Sequence, residues 1–141
     1  MSVSIVLQQH ETGCGLACLA MLAGQDYQSA YRRFAPRIRA LYGDRLLSID
    51  EETMREFCDE IGVTMGRDQD FSDWNALRNR GFSALVAINP KSLRDGSWSW
   101  HWVVYDGERD IILDPYWRIA HHERLDYGRI HTFFYAPVHW Q

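Results

Sequence analysis

From Gly13 to Gly24 almost every side chain is small or apolar. Such a run suits a helix buried on all sides and stopped by Gly24. A second helical pattern extends from Tyr27 to Leu41. Pro36 inside it predicts a break or restart, because proline removes a backbone donor and clashes with the preceding turn. Ser48 followed by Glu51 forms a capping-box signal, and Met54, Phe57, Cys58 and Ile61 then recur at helical spacing as far as Gly62. Ser72 is a candidate cap for a short fourth helix that carries Trp74 and Leu77 and ends at Gly81. Beyond Gly81 the period changes. FSALVAIN, WHWVVYD, DIILD and HTFFYA are short β-branched or aromatic runs, with Asp106-Gly107 as a turn signal between the second and third. Helices first and an antiparallel sheet second make an α+β arrangement, with the final HTFFYAP strand expected to cover one side of the sheet.

A chain of 141 residues is long enough for one domain with a true core and too short for two ordinary ones, so residues 1–141 are read as one unit. Its content of 46% hydrophobic and 13% aromatic residues is that of a folded protein. A net charge of -4 argues against a nucleic-acid partner. Arg32, Arg33, Arg37, Arg39 and Arg45 come closest to a basic footprint, and they read as the wet side of an amphipathic segment. Three cysteines, Cys14, Cys18 and Cys58, fit no disulfide framework and point to a reducing compartment. The N-terminal residues lack a basic n-region, and the apolar run CGLACLAMLAG, at eleven residues, falls short of a membrane span. A soluble, cytoplasmic protein without a membrane span is expected.

Within this frame one cysteine stands apart. Cys14 falls at the first turn of the buried helix, where unpaired N–H groups and the helix dipole favour an anion. That position promotes the thiolate and offers donors to an oxyanion on a carbonyl held against the sulfur, and Gly15 leaves backbone room for the approach. Cys18, one turn deeper, and Cys58, beside Phe57 and Ile61, are assigned to the core. In the strand HWVVYD, alternation puts His101, Val103 and Tyr105 on one face and Trp102 and Val104 on the other. His101 is a candidate general base. Asp114 ends the next strand and is held extended by Pro115. If the two strands pair through the Asp106-Gly107 turn, Asp114 comes close to His101 as an orienting carboxylate.

Taken in order, QQHETGCGLACLAMLAG, IDEETMREFCDEIGV, ALVAIN and HWVVYDGERDIILDP resemble the bacteriocin-processing cysteine peptidases that cleave after double-glycine leaders, over roughly residues 5–116. The resemblance implies a papain-like fold with the nucleophile on the central buried helix. It implies Cys14 as nucleophile, His101 as general base and acid, Asp114 as the residue orienting His101, and Gln8 as side-chain donor of the oxyanion hole. A peptide or protein substrate and an exporter or secretion-system partner follow from the same likeness, here with a stand-alone domain in a bacterial cytoplasm. The family usually has an acidic residue before the cysteine, where this chain has Gly13.

The expected activity is therefore a thiol protease reaction on a peptide or isopeptide bond. A deamidase or acyltransferase would use the same thioester, and a non-catalytic peptide-binding module is the other alternative. Trp100 and Trp102 are candidate substrate-binding residues within a set of aromatic side chains, Trp98, Trp100, Trp102, Tyr105, Tyr116 and Trp117, that either line a groove or pack the core. The polar segment Pro90 to Ser99 reads either as a loop bordering that groove or as an ordinary hairpin loop. No metal or other cofactor is expected. His10, Cys14 and Cys18 at steps of four, with His121, His122 and His131, supply ligand types but not a coherent face. Lys91 is the sole lysine and no GxxxxGK loop occurs, which leaves Schiff-base and phosphate chemistry little to build on.

Overall fold

A computed structural model describes residues 3–70, 73–125 and 130–141. Three helices, α1 (Cys14–Ala23), α2 (Tyr27–Tyr42) and α3 (Glu51–Glu60), precede an antiparallel sheet. Its strands are β1 (Val63–Met65), β2 (Gln69–Asp70), β3 (Ser83–Ser92), β4 (Trp98–Asp106), β5 (Ile111–Leu113), β6 (Glu123–Arg124) and β7 (Thr132–Trp140). They lie in the order β1-β7-β3-β4-β5-β6, and β2 pairs with β7. Among the described residues no helix is long and apolar enough to cross a membrane.

The apolar run makes α1 the central helix. It is buried without interruption from Gly15 to Leu22 and contacts α2, α3 and β4. Gly24 closes it in the left-handed region at φ 66°, donating its N–H to the Ala20 and Met21 carbonyls, a conformation that glycine adopts without steric cost. Cys18 and Cys58 are fully buried, and burial pushes both thiols up, Cys58 to about 12. Neither belongs to a reactive surface.

Pro36 does not break α2, which runs unbroken through it. Pro36 is exposed, so the Arg32 carbonyl that loses its donor faces water, while Phe34, Ala35 and Ile38 on either side are buried. Two arginines also tie the helix to the end of α3: Arg33 Nη2 donates to the Glu60 carbonyl at 2.9 Å and Arg37 Nη2 to the Glu60 carboxylate at 3.0 Å. The start of α3 differs as well. Asp50, not Ser48, caps it by accepting the Thr53 N–H at 2.8 Å, because Leu47 and Ile49 are held with their side chains buried. The fourth helix shrinks to one 3-10 turn, Trp74–Ala76, capped by Asp73; Ser72 lies outside the described residues.

The alternation expected of β4 is present. Trp102 and Val104 pack with Leu85, Ala87, Leu113 and the helices. Val103 and Tyr105 pack on the opposite side with Val86, Ile112, Trp74 and Leu77, so the 3-10 turn covers the face that the helices leave open. HTFFYAP does not cover a side of the sheet. As β7 it lies within the sheet, between β1 and β3, where its backbone groups find partners on both edges.

The β4–β5 connection is tight. Asp106, fully buried, accepts from Arg109 Nε at 2.8 Å and from the Glu108 N–H at 3.0 Å. Gly107 leaves no space for a side chain, since a Cβ would stand 2.2 Å from the Phe82 carbonyl oxygen. Gly107→Ala is expected to cost about 1–3 kcal/mol, the range for an overpacked site, as a lower urea midpoint; an unchanged midpoint would show that the Phe82 peptide yields freely.

Candidate active site

Two elements bring the reactive groups together. Cys14 is the first residue of α1, and its N-cap Gly13 makes no side-chain cap bond, so the first-turn N–H groups are not taken up by a capping side chain. On the sheet, β5 pairs with β4 only from Val104 onward, which leaves the stretch of β4 carrying His101 free of that neighbour. On its other side, β3 shifts register between Ile88 and Lys91, opposite His101 to Ser99, with Asn89 at φ 52°. Such bulges re-aim side chains at the ends of a ladder.

His101 Nε2 stands 2.7 Å from Asp114 Oδ1, and the Cys14 sulfur is near enough to the ring to act on its charge. With Nε2 committed to Asp114, Nδ1 is the nitrogen left for the sulfur. The backbone N–H of Trp102, the residue after His101, donates to Cys14 Sγ at 3.5 Å. Burial works against the charged imidazole, yet the bond to Asp114 and the charges of Asp114 and Cys14 outweigh it and push the His101 pKa up to about 10.

Asp114 is buried and densely coordinated. Oδ1 also accepts the Tyr116 N–H at 3.1 Å, and Oδ2 accepts from Arg124 Nη1 at 2.9 Å. Burial favours the neutral acid, but His101, Tyr116 and Arg124 together hold the carboxyl below the ordinary aspartate value. Its peptide is anchored too, through the bond from its N–H to the His122 carbonyl at 2.8 Å.

Gln8 is buried, and its N–H donates to the Pro115 carbonyl at 2.9 Å, joining the loop before α1 to the segment that bears Asp114. Its side-chain Nε2 donates to the His10 and Glu11 carbonyls, each at 3.0 Å. Both amide hydrogens are thereby directed into Gln8's own loop. Oε1 is buried without a partner among the described residues.

Gly13 has a steric reason. A Cβ there would stand 2.2 Å from the Tyr27 hydroxyl, which bonds His10 Nδ1 at 2.9 Å. His10 in turn stacks on Tyr31 at 4.8 Å. The acidic residue that often precedes such a cysteine has no room here. Beside Gly15, the space is filled by Ile49, whose Cδ1 would be 2.9 Å from an added Cβ. Gly15 thereby admits the close approach of a core side chain.

A cleft of about 240 Å³ opens at Cys14. Tyr42 and Leu46 form one exposed lip, and Leu93 with Trp98 from the β3–β4 hairpin forms the other, so the segment from Pro90 to Ser99 does border the cleft. Trp100 lines it half-buried. Trp102 lines it from beneath at 1% exposure, its indole N–H donating to the Ile49 carbonyl at 2.8 Å, so it forms the floor of the cleft and anchors it to the core. Tyr105 is buried on the far face of the sheet, and Tyr116 packs edge-on against the His101 ring. Among the described residues no group of three or more His, Cys, Asp or Glu side chains could hold a metal.

Arg124 and the Trp102 N–H join the site without any mark in the sequence. A single arginine in a two-residue strand has no periodic signal, and a backbone donor has no residue type to read.

No family model and no curated protein matches the chain. Among solved structures it is similar to a double glycine motif protease from an AMS/PCAT transporter in complex with the leader peptide, at 18% identity, a TM-score of 0.57, and coverage of 96% of this chain and 91% of that one. The fold, three helices on an antiparallel sheet, is the papain-like α+β fold of that protease.

Two expectations follow. Because the folded pKa of His101 lies above the unfolded value near 6.5, its interactions stabilise fully below about pH 6.5 and are lost as the pH rises through about 10. Urea midpoints are expected to fall more between pH 7 and 10 in the wild type than in His101→Gln; parallel pH slopes would contradict the pairing. Gly13→Ala is expected to destabilise by about 1–3 kcal/mol, and by less in a Tyr27→Phe background, where the clashing oxygen is gone. Additive losses in that cycle would remove the steric argument.

Proposed function

We propose that the protein is a cysteine peptidase domain spanning residues 1–141, with Cys14 as nucleophile, His101 as general acid and base, and Asp114 orienting His101. The observation that carries the reading is that the His101–Asp114 hydrogen bond and the Cys14 sulfur, which accepts the N–H of the residue after His101, meet at the mouth of a buried helix. A His101 that is charged at neutral pH donates from both ring nitrogens, and the Trp102 N–H is a further donor. A donor at the sulfur favours the thiolate form that a nucleophile requires.

In the first half-reaction the Cys14 thiolate attacks the scissile carbonyl carbon, and the carbonyl oxygen becomes an oxyanion. The Cys14 N–H is one donor to it. Gln8 Nε2 serves as the second by exchanging one of its bonds to the His10 and Glu11 carbonyls for the oxyanion. His101 passes its proton to the leaving amine as the C–N bond breaks, giving a thioester. In the second half-reaction neutral His101 takes a proton from water, hydroxide adds to the thioester, and the carboxylic acid leaves as the Cys14 thiolate returns.

The substrate class is a peptide. Its support is the apolar cleft at Cys14 together with the likeness to a protease that was solved with a leader peptide. By the same likeness an exporter or secretion system is the partner, and we place the reaction in the cytoplasm, where three unpaired thiols persist.

Cys14→Ala is expected to abolish turnover of a candidate precursor peptide while leaving the fold, read by circular dichroism, intact. Gln8→Ala is expected to lower kcat by about a hundredfold to a thousandfold, the worth of one oxyanion donor. Mass spectrometry of the products reads chain cleavage directly. Turnover by Cys14→Ala, or a product shifted by one dalton in place of two fragments, would refute the peptidase reading.

A further inference from the structure

The sequence motifs shared with known peptidases span roughly residues 5–116, and the segment beyond them returns to the site. β6 pairs with β5 in a register that sets Arg124 opposite Ile112 and Glu123 opposite Leu113. From there Arg124 Nη1 reaches Asp114 Oδ2 at 2.9 Å, with the arginine side chain 19% exposed and the carboxylate 3%. The neighbouring Glu123 is engaged by Arg109 Nη1 at 3.2 Å.

We propose that Arg124 is a positioning residue of the site, holding the second oxygen of Asp114 and sharing its charge so that His101 faces a carboxylate that is fixed in direction and partly compensated. The inference rests on the proposed roles of Cys14, His101 and Asp114. It adds a fourth member to their line, supplied by the segment that follows the shared sequence motifs.

The physical argument has two parts. The two oxygens of Asp114 are held by different partners, Oδ1 by His101 Nε2 and the Tyr116 N–H, and Oδ2 by Arg124. A carboxylate held at both oxygens cannot rotate to offer His101 a different lone pair. The second part is electrostatic. In a buried setting, an undivided negative charge next to the imidazolium would hold its proton strongly and make it a poor acid toward a leaving amine. A cation on the far side of the same carboxylate weakens that hold without removing the bond.

The charged and titratable groups around His101 come from every element that packs there. Cys14 faces it from α1 and Asp114 from the end of β5. Arg124 stands behind Asp114 from β6, and His122 Nδ1 lies 3.1 Å from the Asp114 carbonyl oxygen. Tyr116 contributes its ring and its N–H. Asp114 remains anchored through Tyr116 and His122 when Arg124 is replaced, so the variant changes the charge more than the placement.

The test is the rate of Cys14 alkylation by iodoacetamide from pH 5 to 11 in the full chain, read by mass spectrometry on the Cys14 peptide; it needs no substrate. Arg124→Met is expected to move the basic inflection of the profile, the loss of the His101 proton, upward by about half to one pH unit. Arg124→Gln, which keeps a hydrogen-bond donor but no charge, is expected to shift it the same way, and Arg124→Lys to return it toward the wild type. In an Asp114→Asn background the Arg124→Met change is expected to shift nothing. An unmoved or lowered inflection in both uncharged variants would overturn the inference, as would an equal shift in the Asp114→Asn background. A profile identical in wild type and His101→Gln would overturn the proposed Cys14–His101 pairing itself, an outcome distinct from the other two.

Discussion

The site depends on how Trp102 is held. Its ring is buried in the helix-side core, its indole N–H is bound to the Ile49 carbonyl, and its backbone N–H reaches the Cys14 sulfur. One residue thus joins β4, the segment before α3, and the first turn of α1. Ile49, fixed by that bond, fills the hollow beside Gly15, so α1 cannot slide along the sheet without opening a cavity or breaking a buried hydrogen bond. The register between a helix and a strand is what sets a sulfur within reach of an imidazole. Here that register is determined by a side chain on each side of the cleft.

Around this joint the polar groups form a directed chain in a place where water is scarce. Asp114 accepts from His101 on one oxygen and from Arg124 on the other, and each link is made by a group that would be costly to bury alone. The raised His101 and the lowered Asp114 are two sides of the same pairing, since each charged form is the other's partner. Gln8 differs from this pattern. Its amide is turned to the carbonyls of its own loop, and that loop is fixed from below by His10 on Tyr27 and Tyr31 and from the side by Pro115.

The steric detail at Gly13 shows how a departure from a family pattern is accommodated. Tyr27 occupies the space that a larger residue before Cys14 would need, and its hydroxyl also supports His10. Glycine at this position is therefore not a gap in the helix entry but a packed alternative. The tail works in the same way: β7 completes the sheet between β1 and β3, and β6 brings Arg124 to Asp114, so the C-terminal segment is part of both the core and the site.

Much of this is legible in the sequence by itself. The buried α1 with its stop at Gly24, the alternation of Trp102 and Val104 against Val103 and Tyr105, and the approach of Asp114 to His101 all follow from periodicity and turn residues, which are local properties of a chain. Local rules misjudge Pro36 and Ser48 because neighbouring packing decides whether a proline can stay in a helix and which residue caps one. The short strands β1, β2 and β6 leave no mark in the sequence, as two or three residues carry no period. Arg124 on Asp114, Ile49 against Gly15, and the burial of Trp102 were decided by the tertiary structure alone. Each depends on which distant segments come to lie side by side, and a sequence pattern records the face a residue presents but not the neighbour that meets it.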